Sequence, residues 1–220
     1  MNDHTRKWRW SRVLLLTGLA LLAGCGTIGS QVVPTTVHKT LSLKTGDLQR
    51  DGLAFLTPST VTGQEQDKLA LALVFGETVA KLLPGVRVVS LPETLGAINR
   101  AGLADEYRVM IDHYRDTAIF RRDSLKAIGQ AASVRYLAQL KLAEFRRDLR
   151  ERFSLFGLRL FQTQYAHLRL DMQIWDSVEG VIAWEASEEV NYAYDSGSER
   201  PVTFQQMVEV AAAELLKTLP

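Results

Sequence analysis

Cysteine is nearly absent from this chain of 220 residues, which contains a single one, Cys25. One thiol cannot build an intramolecular disulfide framework or a cysteine-rich zinc module. Proline is scarce too, with 6 residues, and glycine numbers 15. With 46% hydrophobic and 23% charged residues, the composition excludes a collagen-like, disordered or low-complexity chain and fits one or two globular domains.

An excess of charge of one sign is also missing. The 26 Lys and Arg residues nearly balance the 25 Asp and Glu residues, which leaves a formal net charge of +1. A dedicated nucleic-acid-binding protein carries a basic excess, so this balance gives no support to nucleic acid as a partner.

The apolar run at the N-terminus is too short to cross a membrane. Residues 13–23 form a run of 11 residues, whereas a spanning helix needs about 20. The run follows a basic segment that contains Arg6, Lys7, Arg9 and Arg12. A basic segment followed by a short apolar run is typical of a secretory signal peptide.

The run ends in Leu22, Ala23 and Gly24, directly before Cys25. This tetrad resembles the lipobox of bacterial lipoproteins. The resemblance implies that a signal peptidase recognises the first three residues and removes residues 1–24, and that Cys25 carries a covalent lipid with fatty-acyl chains. No other cofactor and no metal are expected.

The residue after Cys25 indicates to which membrane the protein is sorted. In lipoproteins an aspartate at this position commonly signals retention in the inner membrane, and this chain has Gly26 there. The resemblance therefore implies a lipid anchor in the outer membrane, with the protein facing the periplasm. Loss of residues 1–24 removes four basic residues and Asp3, which changes the formal net charge from +1 to −2.

The mature chain divides into a tether and one domain. Residues 25–51 lack a strong apolar period and are predicted to be the lipidated N-terminus and a tether. Residues 37–43 alternate between apolar and polar, so this part of the tether is either an edge strand or irregular chain. Residues 52–220 are predicted to form one α/β domain. Capping-box spacing predicts helix starts at Thr62, Ser90 and Thr203.

The period of the apolar residues changes along this domain. Up to about Ala132 the pattern is mainly helical, around two short buried strands, and from Val134 it alternates with a period of 2. The sequence predicts an α/β (α+β) fold with two layers. It would have a mixed sheet of about five strands, helices packed mainly on one face, and a C-terminal helix.

The alternating segment over residues 168–184 reads LRLDMQIWDSVEGVIAW. Two strands around an Asp-to-Gly turn, closed by a tryptophan, together with the lipobox, resemble the curli-secretion-channel (CsgG-like) lipoprotein domain. The N-terminal domain of TolB and the outer-membrane lipoprotein activators of penicillin-binding proteins belong to the same group. The resemblance implies a channel, adaptor or activator rather than an enzyme.

The chain departs from the curli channel in the segment over residues 145–165, FRRDLRERFSLFGLRLFQTQY. The curli channel crosses the membrane with amphipathic hairpins. Six charged residues fill the first half of this segment, and charges on both faces of a strand are costly in hydrocarbon. A subunit of an oligomeric secretion channel is therefore the second candidate function, as the alternative to an adaptor.

The sequence contains no group of residues with the types and spacing of a known catalytic site. The mature histidines His38, His113 and His167 lack the i, i+3 or i+4 spacing of a helix-borne metal site. The paired acids Glu188 and Glu189 are expected on opposite faces of a strand. The sequence has no phosphate-binding loop and no Gly-x-Ser-x-Gly motif, so we expect no enzyme, and a cell-envelope hydrolase is the least favoured function.

The segment over residues 146–156 is the best candidate for a surface that contacts a partner. It combines a basic cluster with an apolar group that would be exposed at a hairpin tip, and exposed apolar patches usually mark contact surfaces. A solvated turn and apolar side chains folded back on the core are the alternatives. The residues are Arg146, Arg147, Arg150, Arg152, Phe153, Leu155 and Phe156.

These observations predict an outer-membrane lipoprotein that faces the periplasm and binds another envelope protein, as an adaptor or accessory subunit. The expected partners are the membrane, through the lipid, and one envelope protein. A homo-oligomer stays open, and nucleic acid is not expected.

Overall fold

The computed structural model describes residues 31–60, 65–155, 158–195 and 202–220. Within these ranges it describes the side chains of residues 31–60, 68–148, 164–193 and 202–220.

Six helices and seven strands make up the described chain. The helices are α1 (Asp47–Asp51), α2 (Glu65–Leu82), α3 (Leu91–Arg100), α4 (Ala104–Thr117), α5 (Arg122–Ala132) and α6 (Phe204–Leu216). The strands are β1 (Gln31–Thr40), β2 (Leu53–Phe55), β3 (Ser59–Thr60), β4 (Val88–Val89), β5 (Tyr136–Leu155), β6 (Leu158–Asp176) and β7 (Val181–Asp195).

All seven strands belong to one mixed sheet with the order β1-β7-β6-β5-β2-β4, and β3 pairs with β5. β2 runs parallel to β4 and to β5, whereas β5, β6, β7 and β1 are antiparallel neighbours. The predicted fold class, with its mixed sheet and C-terminal helix, is confirmed.

The main core lies between one face of the sheet and the helices α2 and α6. Alternate residues of β5 and β6, such as Leu140 and Leu168, point into it and are fully buried. Trp184 of β7 is also fully buried there. Burial of side chains of this size stabilises a fold by about 1.5–3 kcal/mol each, so this face carries much of the stability of the domain.

A second, smaller core lies on the opposite face, where α3, α4 and α5 pack. Leu137 of β5 and Trp175 of β6 meet Phe120 and Ile128 in it. This second group of helices covers the part of the sheet around β2 and the start of β5. The rest of that face, over β5, β6, β7 and β1, is called the open face below.

Two of the predicted helix starts are described, and both are confirmed. Ser90 and Glu93 form a capping box at α3, and Thr203 and Gln206 form one at α6. In each box a side chain satisfies a backbone N–H that the first turn of a helix leaves without a partner. The third predicted start, at Thr62, lies outside the described residues.

The ordered domain begins earlier than the sequence analysis predicted. β1 pairs with β7 over its whole length, from the Gln31–Ala193 pair to the Thr40–Trp184 pair. Leu48 of α1 is buried in the main core. Residues 31–51 are therefore part of the fold rather than of a tether, and an edge strand is present at β1.

The charged stretch after residue 145 is strand rather than turn. β5 and β6 stay paired as a long hairpin from Tyr136 and Asp176 to Leu155 and Leu158. Alternation is weak here because charges occupy both faces of β5, which explains why the sequence pattern indicated a turn. The hairpin extends beyond the part of the sheet that the helices cover.

Candidate functional site

The open face carries polar side chains that lie in rows across four strands. The register places Gln139, Gln173, Glu185 and Lys39 in one row and Lys141, Asp171, Ser187 and Val37 in the next. Opposite residues on neighbouring strands are close enough to interact, so each row forms a connected polar surface.

The C-terminal end of α4 stands beside these two rows and encloses a groove of about 540 Å³. The two rows form its floor, and its wall is formed by Tyr114 of α4 and by Ala118, the residue directly after the helix. The sequence places α4 here because Met110 and Tyr107 anchor the helix in the second core. Concave sites with a few polar groups are the usual places for ligands.

Gln139 lies at the bottom of the groove and is only 2% exposed. Its Nε2 donates to the backbone oxygens of Thr57 (3.2 Å) and Leu140 (3.0 Å). Both partners can only accept, which fixes the orientation of the amide. Within the part of the chain that the structure describes, Oε1 of Gln139 accepts no hydrogen bond.

Gln173, next to Gln139 in the row, is held by three side chains. Its Oε1 accepts from the Tyr114 hydroxyl (3.0 Å) and from the Trp175 indole N–H (3.3 Å), and its Nε2 donates to Glu185 (3.5 Å). Burial and the nearby carboxylate of Asp171 raise the pKa of Tyr114. The phenol therefore stays protonated and keeps donating at neutral pH.

Charges of both signs line the groove in equal number. Lys39 and Lys141 supply two ammonium groups, and Asp171 and Glu185 supply two carboxylates. The groove therefore has no net charge, and it offers both donors and acceptors. Val37, which is 69% exposed, adds an apolar contact at the β1 end.

A second polar cluster lies further along the open face, around His167. Its Nδ1 lies 2.9 Å from Oδ1 of Asn191, and its Nε2 lies 3.3 Å from Oε2 of Glu144. Glu189 is also near, at 3.7 Å. His167 is on the polar face of its strand, and its ring is held between side chains of the neighbouring strands.

His113, the other histidine weighed for catalysis, helps to end α4. Its Nδ1 lies 2.8 Å from the backbone oxygen of Ile119 and 3.2 Å from the hydroxyl of Thr117. Over the described residues no group of three or more His, Cys, Asp and Glu side chains could hold a metal ion. The prediction that the chain is not an enzyme stays a prediction.

Arg146 and Arg147, both predicted for a partner surface, point to opposite faces of β5. Arg146 is paired with His167 on the open face and forms an ion pair with Glu144. The guanidinium of Arg147 lies over the ring of Phe145, 5.1 Å from its centroid, on the side of α6. The two arginines therefore do not form one basic patch.

The other predicted site residues cannot be compared at the level of side chains. Arg150, Arg152, Phe153 and Leu155 belong to β5, but their side chains lie outside the described residues, as does all of Phe156. The lipidation site Cys25 and its recognition residues Leu22, Ala23 and Gly24 also lie outside them. No helix of the described residues is long and apolar enough to cross a membrane.

Glu188 and Glu189 lie on opposite faces of β7, as predicted. The Glu188 carboxylate is fully buried on the main-core face. It accepts hydrogen bonds from the Thr35 backbone N–H (3.1 Å) and from the Thr36 hydroxyl, which attach β1 to β7. Burial raises the pKa of Glu188 despite these donors, and the carboxylate of Glu214 on α6 and that of Glu189 raise it further.

The raised pKa of Glu188 predicts a pH-dependent stability. The folded state keeps its proton to higher pH than the unfolded state, whose pKa is about 4.5. The contribution to stability is present below that value and is lost as pH rises through the folded pKa. The free energy of unfolding of the wild type should therefore fall relative to that of Glu188→Gln as pH rises above 4.5.

Urea denaturation between pH 4 and 8 measures this difference. Glu189→Gln is the matched control, because Glu189 is 48% exposed on the other face of the same strand. Its carboxylate makes only a minor contribution to the raised pKa of Glu188, so its profile should stay closer to that of the wild type than the profile of Glu188→Gln does. Parallel profiles of Glu188→Gln and the wild type would show that the buried carboxylate titrates normally.

Comparisons with known proteins give only distant similarity. No protein-family model and no curated protein matches the chain. Among solved structures it is similar to a PelC dodecamer from Paraburkholderia phytofirmans, with 10% identity, a TM-score of 0.49, and coverage of 85% of this chain and 97% of that one.

Two further structures are similar at a lower level. Lipoprotein GNA1162 from Neisseria meningitidis has 11% identity and a TM-score of 0.45, over 76% of this chain and 98% of that one. The LpoB C-terminal domain from Salmonella enterica has 12% identity and a TM-score of 0.34, over 66% of this chain and 95% of that one. The resemblance to the curli-secretion-channel domain stays a prediction.

Sequence reasoning missed the groove. Its wall comes from α4 and its floor from β1, β5, β6 and β7, so the lining residues are up to about 150 positions apart. One signal was present in the sequence, since Gln139 interrupts an otherwise apolar start of β5 at a position on the face opposite Leu140. A buried amide of this kind needs partners.

Proposed function

We propose that this chain is a lipid-anchored lipoprotein of the outer membrane that faces the periplasm and binds another envelope protein as an adaptor or accessory subunit. The observation that carries the proposal is the open face. Helices cover the other face of the sheet and part of this one, but the polar rows over β5, β6, β7 and β1 and their groove are left accessible.

The arrangement of groups on the open face favours binding over chemistry. The ring of His167 lies between Glu144 and Asn191, and His113 is engaged at the end of α4. Each histidine thus has a structural role that accounts for its contacts. We accordingly propose a protein without catalytic activity and without a cofactor other than the lipid.

The short connection to the predicted anchor sets the position of the domain. Five residues lie between Cys25 and the start of β1 at Gln31. Six extended residues span at most about 20 Å, against the much greater reach of a tether over residues 26–51. A lipid on Cys25 therefore holds the domain against the membrane surface and raises its effective concentration for partners there.

The anchor also sets which end of the domain faces the membrane. The Gln31–Ala193 pair lies in the same row as Tyr165 and Asp148, at the side from which the β5–β6 hairpin extends. Residues beyond Asp148 add about 20 Å of strand in that direction. We therefore propose that the part of the hairpin beyond Asp148 lies near the membrane and that the groove lies farther from it.

Site-specific crosslinking in living cells tests the proposal. A photoreactive amino acid replaces Val37 on the open face of the full-length lipidated protein, and Glu209, which is exposed on α6, is the control position. We expect a crosslink from position 37 to one different envelope protein, and none from position 209. Products that contain only copies of this chain would instead support the channel subunit.

A further inference from the structure

We infer that the tip of the β5–β6 hairpin contacts the surface of the membrane that holds the lipid anchor. The hairpin tip consists of residues 150–155 of β5 and 158–163 of β6. Its basic residues lie among the phosphate groups of anionic lipids, and its outermost apolar residues lie at the boundary with the acyl chains. The inference rests on the proposed function, because it needs the lipid on Cys25, and it adds a second contact with the membrane that the protein itself makes.

The hairpin tip is a ribbon of only two strands. Within the described residues β7 ends at Asp195, opposite Thr163, and β3 ends opposite Leu142 of β5. β5 and β6 stay paired with each other beyond these points, as far as Leu155 and Leu158. A two-stranded hairpin alone is only marginally stable in water, so a contact at the tip would stabilise this ribbon.

The order of residue types along the tip matches the layers of a membrane surface. Two of the three residues over 150–152 are arginine, and they come first as β5 leaves the domain. The outermost pairs are apolar, with Phe153 opposite Phe161 and Leu155 opposite Leu158. Three residues of strand span about 10 Å, and apolar groups at a membrane interface are buried by about 5–10 Å.

The hairpin carries a charge opposite to that of an anionic membrane surface. Residues 146–159 contain five basic and two acidic residues, whereas the rest of the mature chain, residues 25–145 and 160–220, contains 17 basic and 22 acidic residues. Basic segments next to a membrane are attracted to anionic lipids. The basic end of the molecule is therefore the end at which the connection to the lipid leaves the fold.

The distribution of charge over both faces of β5 suits the headgroup layer better than the hydrocarbon. A charge in hydrocarbon is costly, whereas phosphate groups in the headgroup layer are present on every side of a strand. Arg146 and Arg147, just before the tip, show this distribution. Arg146 lies on the open face beside Glu144, and Arg147 lies over Phe145 on the side of α6.

The short connection to the lipid brings the tip to the depth of the anchor. From Cys25 to Gln31 the chain spans at most about 20 Å, and Gln31 lies in the same row as Asp148. From Asp148 to Leu155, β5 also spans about 20 Å, in the direction of the turn. When the connection runs in this direction, the tip reaches the level of Cys25 even if the connection is fully extended.

The contact at the tip orients the domain and does not anchor it. A few basic residues give only a weak attraction that salt screens, whereas two or more acyl chains give stable anchoring. Loss of the lipid therefore still releases the protein. Loss of the tip contact leaves the protein on the membrane but lets the domain tilt.

A fluorescent label in the tip tests the inference. Cys25 is the only cysteine of the chain and carries the lipid, so an introduced cysteine in the full-length lipidated protein can be labelled alone with nitrobenzoxadiazole. Ser154→Cys and Gln162→Cys place the label in the tip, and either is sufficient if the other fails to fold. Val178→Cys is the control position, because Val178 is 43% exposed in the turn at the opposite end of β6.

Each labelled protein is reconstituted into vesicles of phosphatidylcholine, alone or with an equal amount of phosphatidylglycerol. With phosphatidylglycerol, we expect the tip labels to show brighter, blue-shifted emission that lipids with a doxyl quencher reduce. The label at position 178 should keep the emission of a dye in water. Arg150→Glu with Arg152→Glu should shift the equilibrium between bound and free tip at least about tenfold toward the free state, because like charges then face each other.

Lys81→Glu with Arg100→Glu is the matched control for charge. Both residues are exposed, on α2 and α3, and their reversal changes the net charge by the same amount away from the hairpin. The emission of the tip labels should stay as it is without these substitutions.

Three results would overturn the inference. They are tip labels that keep the emission of a dye in water in both lipid mixtures, tip labels that stay buried after reversal of Arg150 and Arg152, and tip labels that are shielded only in native membranes, which would indicate a protein on the hairpin. Flotation of the vesicles separates the causes. Protein that floats with an exposed tip keeps the proposed lipid anchor, whereas protein that does not float contradicts the anchor and the inference together.

Discussion

Cys25→Ser will move this protein from the membrane fraction to the soluble periplasmic fraction. The variant is placed behind a secretory leader with an ordinary cleavage site, so that no uncleaved signal peptide can hold it. We expect nearly all of the wild type in the membrane pellet and nearly all of the variant in the supernatant, because the variant lacks the thiol that would carry the lipid.

The expected effect is large because, in the proposed function, acyl chains on Cys25 supply almost all of the membrane affinity. Each buried CH₂ group contributes about 0.8 kcal/mol, and two or more chains give stable anchoring where one chain is marginal. Serine offers a hydroxyl instead of a thiol and cannot form the thioether. The mass of the intact wild type should in turn exceed that of the unmodified chain over residues 25–220 by the mass of its lipids.

Extraction conditions separate a lipid anchor from protein contacts. High salt should leave the wild type in the pellet, since it screens charges without affecting buried acyl chains, and detergent should release it. If Cys25→Ser stayed in the pellet after a high-salt wash, the hairpin or another part of the domain would be the anchor, and the lipobox interpretation would be wrong.

Asp176→Ala will lower the free energy of unfolding by about 2–4 kcal/mol. Asp176 ends β6, and its side chain is 5% exposed. It accepts from Arg135 at 2.7 Å and from the backbone N–H groups of Val178 (3.0 Å) and Glu179 (3.2 Å). Alanine removes both the ion pair and the acceptor that orders the β6–β7 turn.

The charge state of Asp176 adds a pH dependence. Burial raises the pKa of this carboxyl, but the hydrogen bonds from Arg135 and from the turn N–H groups outweigh burial and hold the pKa below its ordinary value. The resulting stabilisation is present above the unfolded pKa of about 3.8 and is lost as pH falls through the folded pKa. This direction is opposite to that of Glu188.

Asp176→Asn separates the two contributions. The asparagine keeps an oxygen for the turn N–H groups and loses the charge. We therefore expect about half of the destabilisation, and we expect the variant to lose the part of the acid dependence of stability that Asp176 contributes. Arg135 is 36% exposed, so water replaces part of the lost ion pair. Urea denaturation at pH 7 and at pH 3 measures both effects, and equal stability of the wild type and Asp176→Ala at pH 7 would contradict them.

The strongly periodic elements could be predicted from the sequence. The strands around Leu140 and Leu168 alternate over many residues, and the capping boxes at Ser90 and Thr203 are local signals. The turn between Asp176 and Gly180 also follows from local chemistry, because Gly180 adopts a φ of 73° that suits glycine. Each of these features depends on neighbours in the sequence.

The features that could not be predicted from the sequence depend on residues that are far apart in the chain. β1 is exposed along most of its length and has little apolar period of its own, so its place in the sheet depends on pairing with β7 and on the buried Glu188. The helices α3, α4 and α5 were predicted, but their position on the second face was not, because the sequence analysis expected helices mainly on one face. Leu137 and Trp175 face them from positions that the alternation assigns to the polar side of the strands.

The measurement that tests the central claim most directly is the mass and composition of the complex that this protein forms in the membrane. The full-length tagged chain is crosslinked in living cells, extracted in detergent, purified and analysed by native mass spectrometry with identification of its components. We predict this lipidated chain together with a different envelope protein. A ring that contains only many copies of this chain would contradict the adaptor function and would support a channel subunit.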